Sequence, residues 1–357
     1  MSTSHPPLDT PAHMKAVRLH APGSPLSIDL VPVPRPAPDQ VLVKVLACGL
    51  CGSDVHMWHG RVPVGKTPIV LGHEIAGAIS TSGDAAGGWR EGDLVIVRAG
   101  AGCGRCPYCT AGCDNLCPQQ RVLGMDEDGG FAQYVVAPTS GLVTLPPGIP
   151  LEVGAILTDA VATPYHALTG RGRLKRGESV VVFGAGGVGA HAVLLAKALG
   201  ANPVVAVDIR PAALARAKAL GADEAVPADD APAKAVQRIT GGADLALDCV
   251  GKPESIAQAV RSLKPGGRAV VVGMGQQPIS LPPPALFAWR EHSLIGSFGS
   301  TSADLDAVIS MILEGQLDLS QSITGRVPLS AIDQTLALLE DPTADHIRIV
   351  ILPWEEV

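Results

Sequence analysis

One run constrains the fold more than any other: Phe183-Gly184-Ala185-Gly186-Gly187-Val188-Gly189, directly after the apolar segment 179–183. It contains a G-x-G-x-x-G and opens a helical pattern over 188–199. A second apolar run, VVAV, then ends in Asp208, 208 − 189 = 19 residues after the last glycine. Alone, such a run fits any glycine-rich turn. After a strand, before a helix, and with an acid about 20 residues on, it fits a dinucleotide site. The glycines allow a tight turn and let the backbone approach a pyrophosphate, which the helix N-terminus favours through its N–H groups and dipole. Gly184, Gly186, Gly187, Val188 and Gly189 are the candidate contacts. Asp208 offers its carboxylate to a ribose diol and repels a 2′-phosphate, so NAD is expected. Arg210 is the counter-signal, because a nearby arginine accommodates that phosphate in NADP.

The rest of the second half continues the pattern. PAALARAKALG, ADLALDCVG, a helix over 253–263 and GGRAVVVG follow in turn. Strand–helix alternation of this kind predicts a parallel sheet with crossover helices. From about residue 300, two helical runs, LDAVISMILEG and AIDQTLALLE, precede a closing strand, HIRIVIL. Residues 14 to 136 read differently. MKAVRL, QVLVKVLA, EGDLVIVR and FAQYVVA are short β-like runs between Gly- and Pro-rich turns. With no long linker, the two regions must pack against each other and leave a cleft.

The 357 residues suit about two domains, and hydrophobic residues at 46% against 17% charged exclude disorder for most of the chain. Aromatics are only 3%, so Val, Leu, Ile and Ala must fill the core. A net charge of −7 argues against nucleic acid. The longest weakly polar stretch, 179–200, is interrupted by glycines, His191 and Lys197, so no membrane span is expected. The opening MSTSHPPLDTPAH has no basic-then-apolar pattern and reads as a loose tail rather than a secretory signal. A cytoplasmic, reducing location is the expectation.

There are eight cysteines, five of them between 103 and 117. In a long chain without a secretory signal this reads as metal, not as disulfides. Cys103-x2-Cys106-x2-Cys109-x7-Cys117 suits a closed, four-sulfur zinc site with no open position for substrate, hence a structural one. Cys113 is a spare that could replace Cys117, and a chance cluster of buried thiols is the alternative. With Arg105 and Asp114 as its only charges, the lobe has no basic footprint for nucleic acid.

Cys51 and His73, 73 − 51 = 22 residues apart, are a weaker pair, and unrelated core residues would look the same. Two features favour chemistry. His73 sits in a turn between Gly72 and Gly77 and precedes Glu74. Cys51 precedes Ser53, Asp54 and His56, polar groups with no obvious place in a strand-to-helix turn.

The Cys-x-Ser-Asp-x-His run, the Gly-His-Glu turn, the cysteine lobe and the glycine fingerprint together resemble the zinc-dependent medium-chain alcohol dehydrogenase family, over nearly the whole chain. The resemblance implies an α/β protein with a GroES-like, β-rich catalytic domain over 1–160 that carries the zinc lobe. A Rossmann doubly wound parallel-sheet domain would span 161–297, and a return over 298–357 would complete the first domain. It implies two zinc ions per chain, NAD, a small alcohol, aldehyde or ketone substrate, and a homodimer or homotetramer.

Carried over by position, Cys51 and His73 would bind a catalytic zinc. Asp159 would be the third ligand where many members have cysteine; capping a helix that opens at about Ala160 is the alternative. Glu74 would sit beside the metal, and Asp54 would orient His73. Ser53 would contact the alcohol and His56 would end a proton relay. Thr163 and Val188 would pack the nicotinamide, and Arg348 would reach the pyrophosphate. The CGSDVHMWHG run is also similar to threonine and polyol dehydrogenases. A reductase of conjugated double bonds and an inactive zinc-stabilised binding protein are the remaining alternatives.

Overall fold

A computed structural model of the chain describes residues 10–229, 231–341 and 343–355. Of the opening segment read as a loose tail, residues 1–9 lie outside those described, and His13 already begins the strand His13–Leu19.

The alternating half forms a six-stranded sheet, parallel throughout. Its order is Glu224–Pro227, Val204–Asp208, Val180–Phe183, Ala243–Asp248, Leu263–Val271, Ser293–Gly296. In chain order of the six this is 3-2-1-4-5-6, the doubly wound arrangement. Val180, Val181 and Val182 are wholly buried, as strands covered by helices on both faces must be. The chain order reverses between Val180–Phe183 and Ala243–Asp248, and a crevice opens outside their carboxyl ends.

The β-rich half forms a sheet ordered Ile323–Val327, Arg348–Ile351, Gln40–Leu50, Glu74–Ser82, Leu94–Arg98, Leu142–Thr144, with Tyr134–Pro138 also paired to Gln40–Leu50. Its first two strands come from the end of the chain. Ile349 pairs with Leu50 and Ile351 with Cys48, so the strand Arg348–Ile351 lies beside Gln40–Leu50. A smaller sheet joins Ser27–Pro32, His13–Leu19 and Ile69–Val70.

Between the two large sheets runs a helical segment built from Leu151–Ile156, Leu157–Val161, Ala162–His166 and Ala167–Arg171. Ile156, Leu157, Ala160, Val161 and Leu168 are fully buried in one core that also holds Ala76, Ile96 and Val350 from one sheet and Val182 from the other. The segment is therefore pinned at the seam of the molecule. Two of its turns, Leu157–Val161 and Ala167–Arg171, are π-helical, a local widening that often marks functional positions.

Candidate active site

Cys51 is the cap residue of the helix Gly52–Trp58. The Asp54 carboxylate accepts the Cys51 N–H at 2.9 Å and the Gly72 N–H at 3.3 Å, and lies 3.4 Å from His73 Nδ1. One fully buried acid thus fixes both Cys51 and the other ring nitrogen of His73. Gly72 has φ +91, and a Cβ there would fall 2.4 Å from Phe131, so the turn that presents His73 demands glycine.

Asp159 stands inside the π-helical turn Leu157–Val161, not before a helix. The helix does not open at Ala160; it is already under way from Leu151, so the capping alternative falls. Asp159 Oδ1 accepts the Thr163 hydroxyl at 2.8 Å. Its Oδ2 lies 3.3 Å from Cys51 Sγ and 3.6 Å from His73 Nε2, and Ser53 Oγ lies 3.4 Å from that nitrogen. Ligand atoms of Cys51, His73, Glu74 and Asp159 all fall within 4.8 Å of one another. Tetrahedral zinc with bonds of about 2.0–2.3 Å spaces its ligand atoms by about 3.3–3.8 Å, so the sulfur, nitrogen and oxygen donors fit.

Glu74 is wholly buried. Its Oε1 accepts the Ala160 N–H at 3.1 Å and lies 3.0 Å from Arg348 Nη2, while Oε2 has no partner. That ion pair is close but not aligned as a hydrogen bond, since Nη2 is itself unsatisfied. Burial pushes the Glu74 carboxyl up to about 8, against the pull of Arg348. Burial opposes charge on His73 too, but Asp54 and Asp159 outweigh it and hold the imidazole well above its ordinary 6.5. Desolvation would raise the half-buried Asp159, but His73 and Arg348 outweigh it and hold the carboxyl well below 3.8.

A pH dependence follows for protein stripped of metal. Folded Glu74 keeps its proton to about 8, whereas the unfolded carboxyl loses it near 4.5. The folded chain binds more protons across that window, so stability falls as pH rises. His73 acts in the same direction: its contribution is full below 6.5 and is lost as pH passes its raised value. Asp159 matters only in acid. Zinc needs deprotonated ligands, so the loaded protein gains where the stripped one loses. The melting temperatures of loaded and chelator-treated protein should diverge between about pH 6 and 9. A constant gap would contradict the buried-ligand geometry.

The second cluster lies in the lobe. Cys106 Sγ is 3.5 Å from Cys109 Sγ and 3.8 Å from Cys117 Sγ, and Cys103 Sγ is 4.0 Å from Cys109 Sγ. Four sulfurs about 2.3 Å from a central zinc would sit about 3.8 Å apart. Cys113 is exposed and stands outside the cluster, so Cys117 is the fourth sulfur. Backbone N–H groups of Arg105 and Cys106 draw the Cys103 thiol down to about 6, while desolvation and the Cys106 thiol push Cys109 up to about 12. Four adjacent thiols cannot ionise alike without a cation among them.

At the other end of the cleft, the helix Gly187–Ala198 starts from Gly186. A Cβ on Gly189 would lie 1.7 Å from the Gly184 carbonyl oxygen, so helix and strand pack at a distance only glycine permits. Asp208 Oδ2 accepts the Ala185 N–H at 2.7 Å, and Oδ1 accepts the Arg210 N–H at 2.8 Å with Arg210 Nε at 3.3 Å. Arg348 Nη1 reaches within 3.0 Å of where a Gly187 Cβ would stand.

One cleft joins the two ends. Cys51, Ser53, His56, His73, Asp159 and Thr163 line it together with Gly186, Gly187, Val188, Gly189 and Arg348. Glu74, Gly184, Asp208 and Arg210 do not; Glu74 lies beneath the floor, the others behind the glycine turn. The sequence reading missed Arg98, Asn115, Gln120 and Ser300, which line the same cleft. Only Arg98 left a trace, as a charge ending the apolar strand Leu94–Arg98.

Residues 187–314 match the family model described as zinc-binding dehydrogenase, and residues 37–147 that described as alcohol dehydrogenase GroES-like domain. D-xylulose reductase A of Aspergillus niger is 38% identical over 301 residues, 81% of this chain and 83% of that protein. Among solved structures, acetophenone reductase of Geotrichum candidum in complex with NAD superposes with a TM-score of 0.87 at 28% identity, covering 98% of this chain and 100% of that one. A zinc-binding dehydrogenase of Sinorhizobium meliloti bound to NADP gives 0.85 at 31%, covering 96% and 100%.

Proposed function

Because the chain belongs to the zinc-dependent medium-chain alcohol dehydrogenase family, we propose that it interconverts a small alcohol and its aldehyde or ketone with NAD. The observation that carries the reading is the convergence of Cys51, His73 and Asp159, with Ser53 beside them, in the cleft that the turn 186–189 also lines. Cys51, His73 and Asp159 would hold the catalytic metal and leave one position for substrate, and the four-cysteine lobe would hold a structural one. When bound, zinc supplies a Lewis acid that eases loss of the alcohol proton, and NAD supplies the hydride acceptor.

The chain's own residues do the rest. Ser53 would take the hydroxyl proton and His56, one helical turn away, would pass it to solvent; a bound nicotinamide ribose would supply a hydroxyl between them. Burial and Arg61 lower the His56 pKa, so it stands ready as a neutral base. Thr163 and Val188 would set the nicotinamide face. Arg348 and the turn N–H groups would hold the pyrophosphate. Asp208 would take the adenosine ribose, and its hold on Arg210 would keep that guanidinium from a 2′-phosphate.

The test is NADH formation with a panel of primary, secondary and polyhydric alcohols, alongside elemental analysis. About two zinc ions per chain and turnover with NAD well above that with NADP are expected. Preference for NADP, as the Sinorhizobium neighbour's bound cofactor allows, would make Arg210 the discriminating residue. Turnover of conjugated double bonds alone, or none at all, would remove the reading. A polyol substrate is the second reading, favoured by Arg98, Gln120 and Ser300 on the cleft wall and by the xylulose reductase relative.

The division at about residues 160 and 298 into catalytic, Rossmann and returning segments belongs to the same proposal. So does a reducing cytoplasm, which suits eight free cysteines. Among the described residues, no helix is long and apolar enough to cross a membrane. Among the described residues the strand Ser293–Gly296 pairs on one side only, and Leu286 and Trp289, the latter 87% exposed, precede it in the chain. An edge of this kind invites a second copy, in keeping with a homodimer or homotetramer. Light scattering that returned the mass of one chain would refute that assembly.

A further inference from the structure

The cleft lining includes residues 298–300. Two side chains of the cysteine lobe, neither a metal ligand, grip this stretch and the helix that follows it. Asp114 Oδ1 accepts the Ser302 N–H at 3.1 Å and Oδ2 accepts the Ser302 hydroxyl at 2.6 Å. Ser302 opens the helix Ser302–Leu313, so its N–H is one of the donors that a helix start leaves without an internal partner. Asn115, 5% exposed, donates to the Phe298 carbonyl at 2.7 Å. The Arg98 guanidinium, with 7% of its side chain exposed, braces the joint from the other side. It lies 2.8 Å from Asp114, bonds the Ser302 hydroxyl, and reaches the Ser300 carbonyl at 3.5 Å. Ser300 in turn reaches the Thr158 carbonyl, one residue before Asp159.

We infer that Asp114 and Asn115 are positioning residues through which the cysteine lobe sets the cleft wall at 298–302. The lobe's fold places both side chains: Asp114 and Asn115 belong to the short turn Asp114–Leu116, and Cys117 follows directly. A charge-assisted strut anchored on the buried Arg98 and Asn115 holds one geometry better than a loop alone, because breaking its bonds leaves those two desolvated groups behind. The lobe is thereby part of substrate selection as well as of stability. This inference rests on the dehydrogenase reading for its kinetic part and on hydrogen bonding alone for its structural part.

The test uses the full zinc-loaded chain with Asn115→Ala and Asp114→Ala. Asn115→Ala is the milder change and serves if loss of Asp114, which strands the Arg98 charge, prevents folding. Amide hydrogen exchange across 298–303 should quicken in both, most at Ser302 in Asp114→Ala, with exchange in the parallel sheet unchanged. The KM for the alcohol should rise about tenfold while kcat changes less than about threefold, since the wall shapes substrate placement rather than proton transfer. Zinc content should stay at the wild-type value. Unchanged exchange and unchanged KM would overturn the inference. So would changes that appear only when the lobe loses its zinc, which would make these residues supports of the metal. If the wild-type chain turns over no alcohol, the function reading has failed, and the exchange result still decides the strut.

Discussion

Replacing Asp159 with Asn should cut kcat/KM for alcohol oxidation by about 10²-fold or more and lower zinc from about two ions per chain to about one. The change is nearly isosteric. Asn keeps an oxygen for the Thr163 hydroxyl, now 2.8 Å from Oδ1, so the helical segment around it should hold. What is lost is the charge facing Cys51 Sγ at 3.3 Å and His73 Nε2 at 3.6 Å. With Cys51 as thiolate, Asp159 completes a charge of −2 that matches zinc, and a neutral amide is a poor substitute. A residue that merely capped a helix would tolerate Asn with little effect. Its place within the turn Leu157–Val161 already speaks against that role. Full activity with full metal would remove Asp159 from the site and leave Glu74, whose carboxylate shares the 4.8 Å cluster, as third ligand.

What the sequence discloses is what is written locally. The strand Val180–Phe183, the glycines and Asp208 lie close along the chain, so their joint geometry can be read from spacing. The four cysteines fall within fifteen positions, and the metal geometry closes over so short a loop. Asp159 is different. Nothing in LTDAVATPYHAL marks the wider turn that aims this carboxylate at Cys51, because π-helical turns arise from packing at the seam and not from propensity. Arg98, Asp114 and Ser302 are farther still from legibility. They come from a strand end, a loop and a helix start up to 204 residues apart, and only the folded sheets bring them together. The strand Glu74–Ser82 and the helical segment after Leu151 also went unread. Small residues fill the strand, and the helical segment opens on a turn too short, LEVGAI, to show a period.

Arg348→Leu should destabilise metal-free protein by roughly 3–5 kcal/mol above about pH 8, where Glu74 has lost its proton, because it leaves that carboxylate buried without its cation. Arg348 is 3% exposed and belongs to the strand that the end of the chain inserts beside Gln40–Leu50. Its Nη1 donates to the Leu50 carbonyl at 3.2 Å, and Nη2 stands 3.0 Å from Glu74 and 3.6 Å from Asp159. Glu74 cannot move to water instead. It is fully buried under Gly49, where any Cβ would fall 1.9 Å from Oε2. The single variant therefore keeps a desolvated acid that must take up a proton, and its cost should shrink as pH falls below about 8, where Glu74 already holds one. Pairing the change with Glu74→Gln removes the stranded charge and should recover most of the lost stability, a coupling that a double-mutant cycle in denaturant measures directly. Cofactor affinity should not recover with it, since the guanidinium beside Gly187 is missing in both variants. A single variant within about 1 kcal/mol of wild type above about pH 8 would show that the pair contributes little and that Arg348 serves the dinucleotide alone.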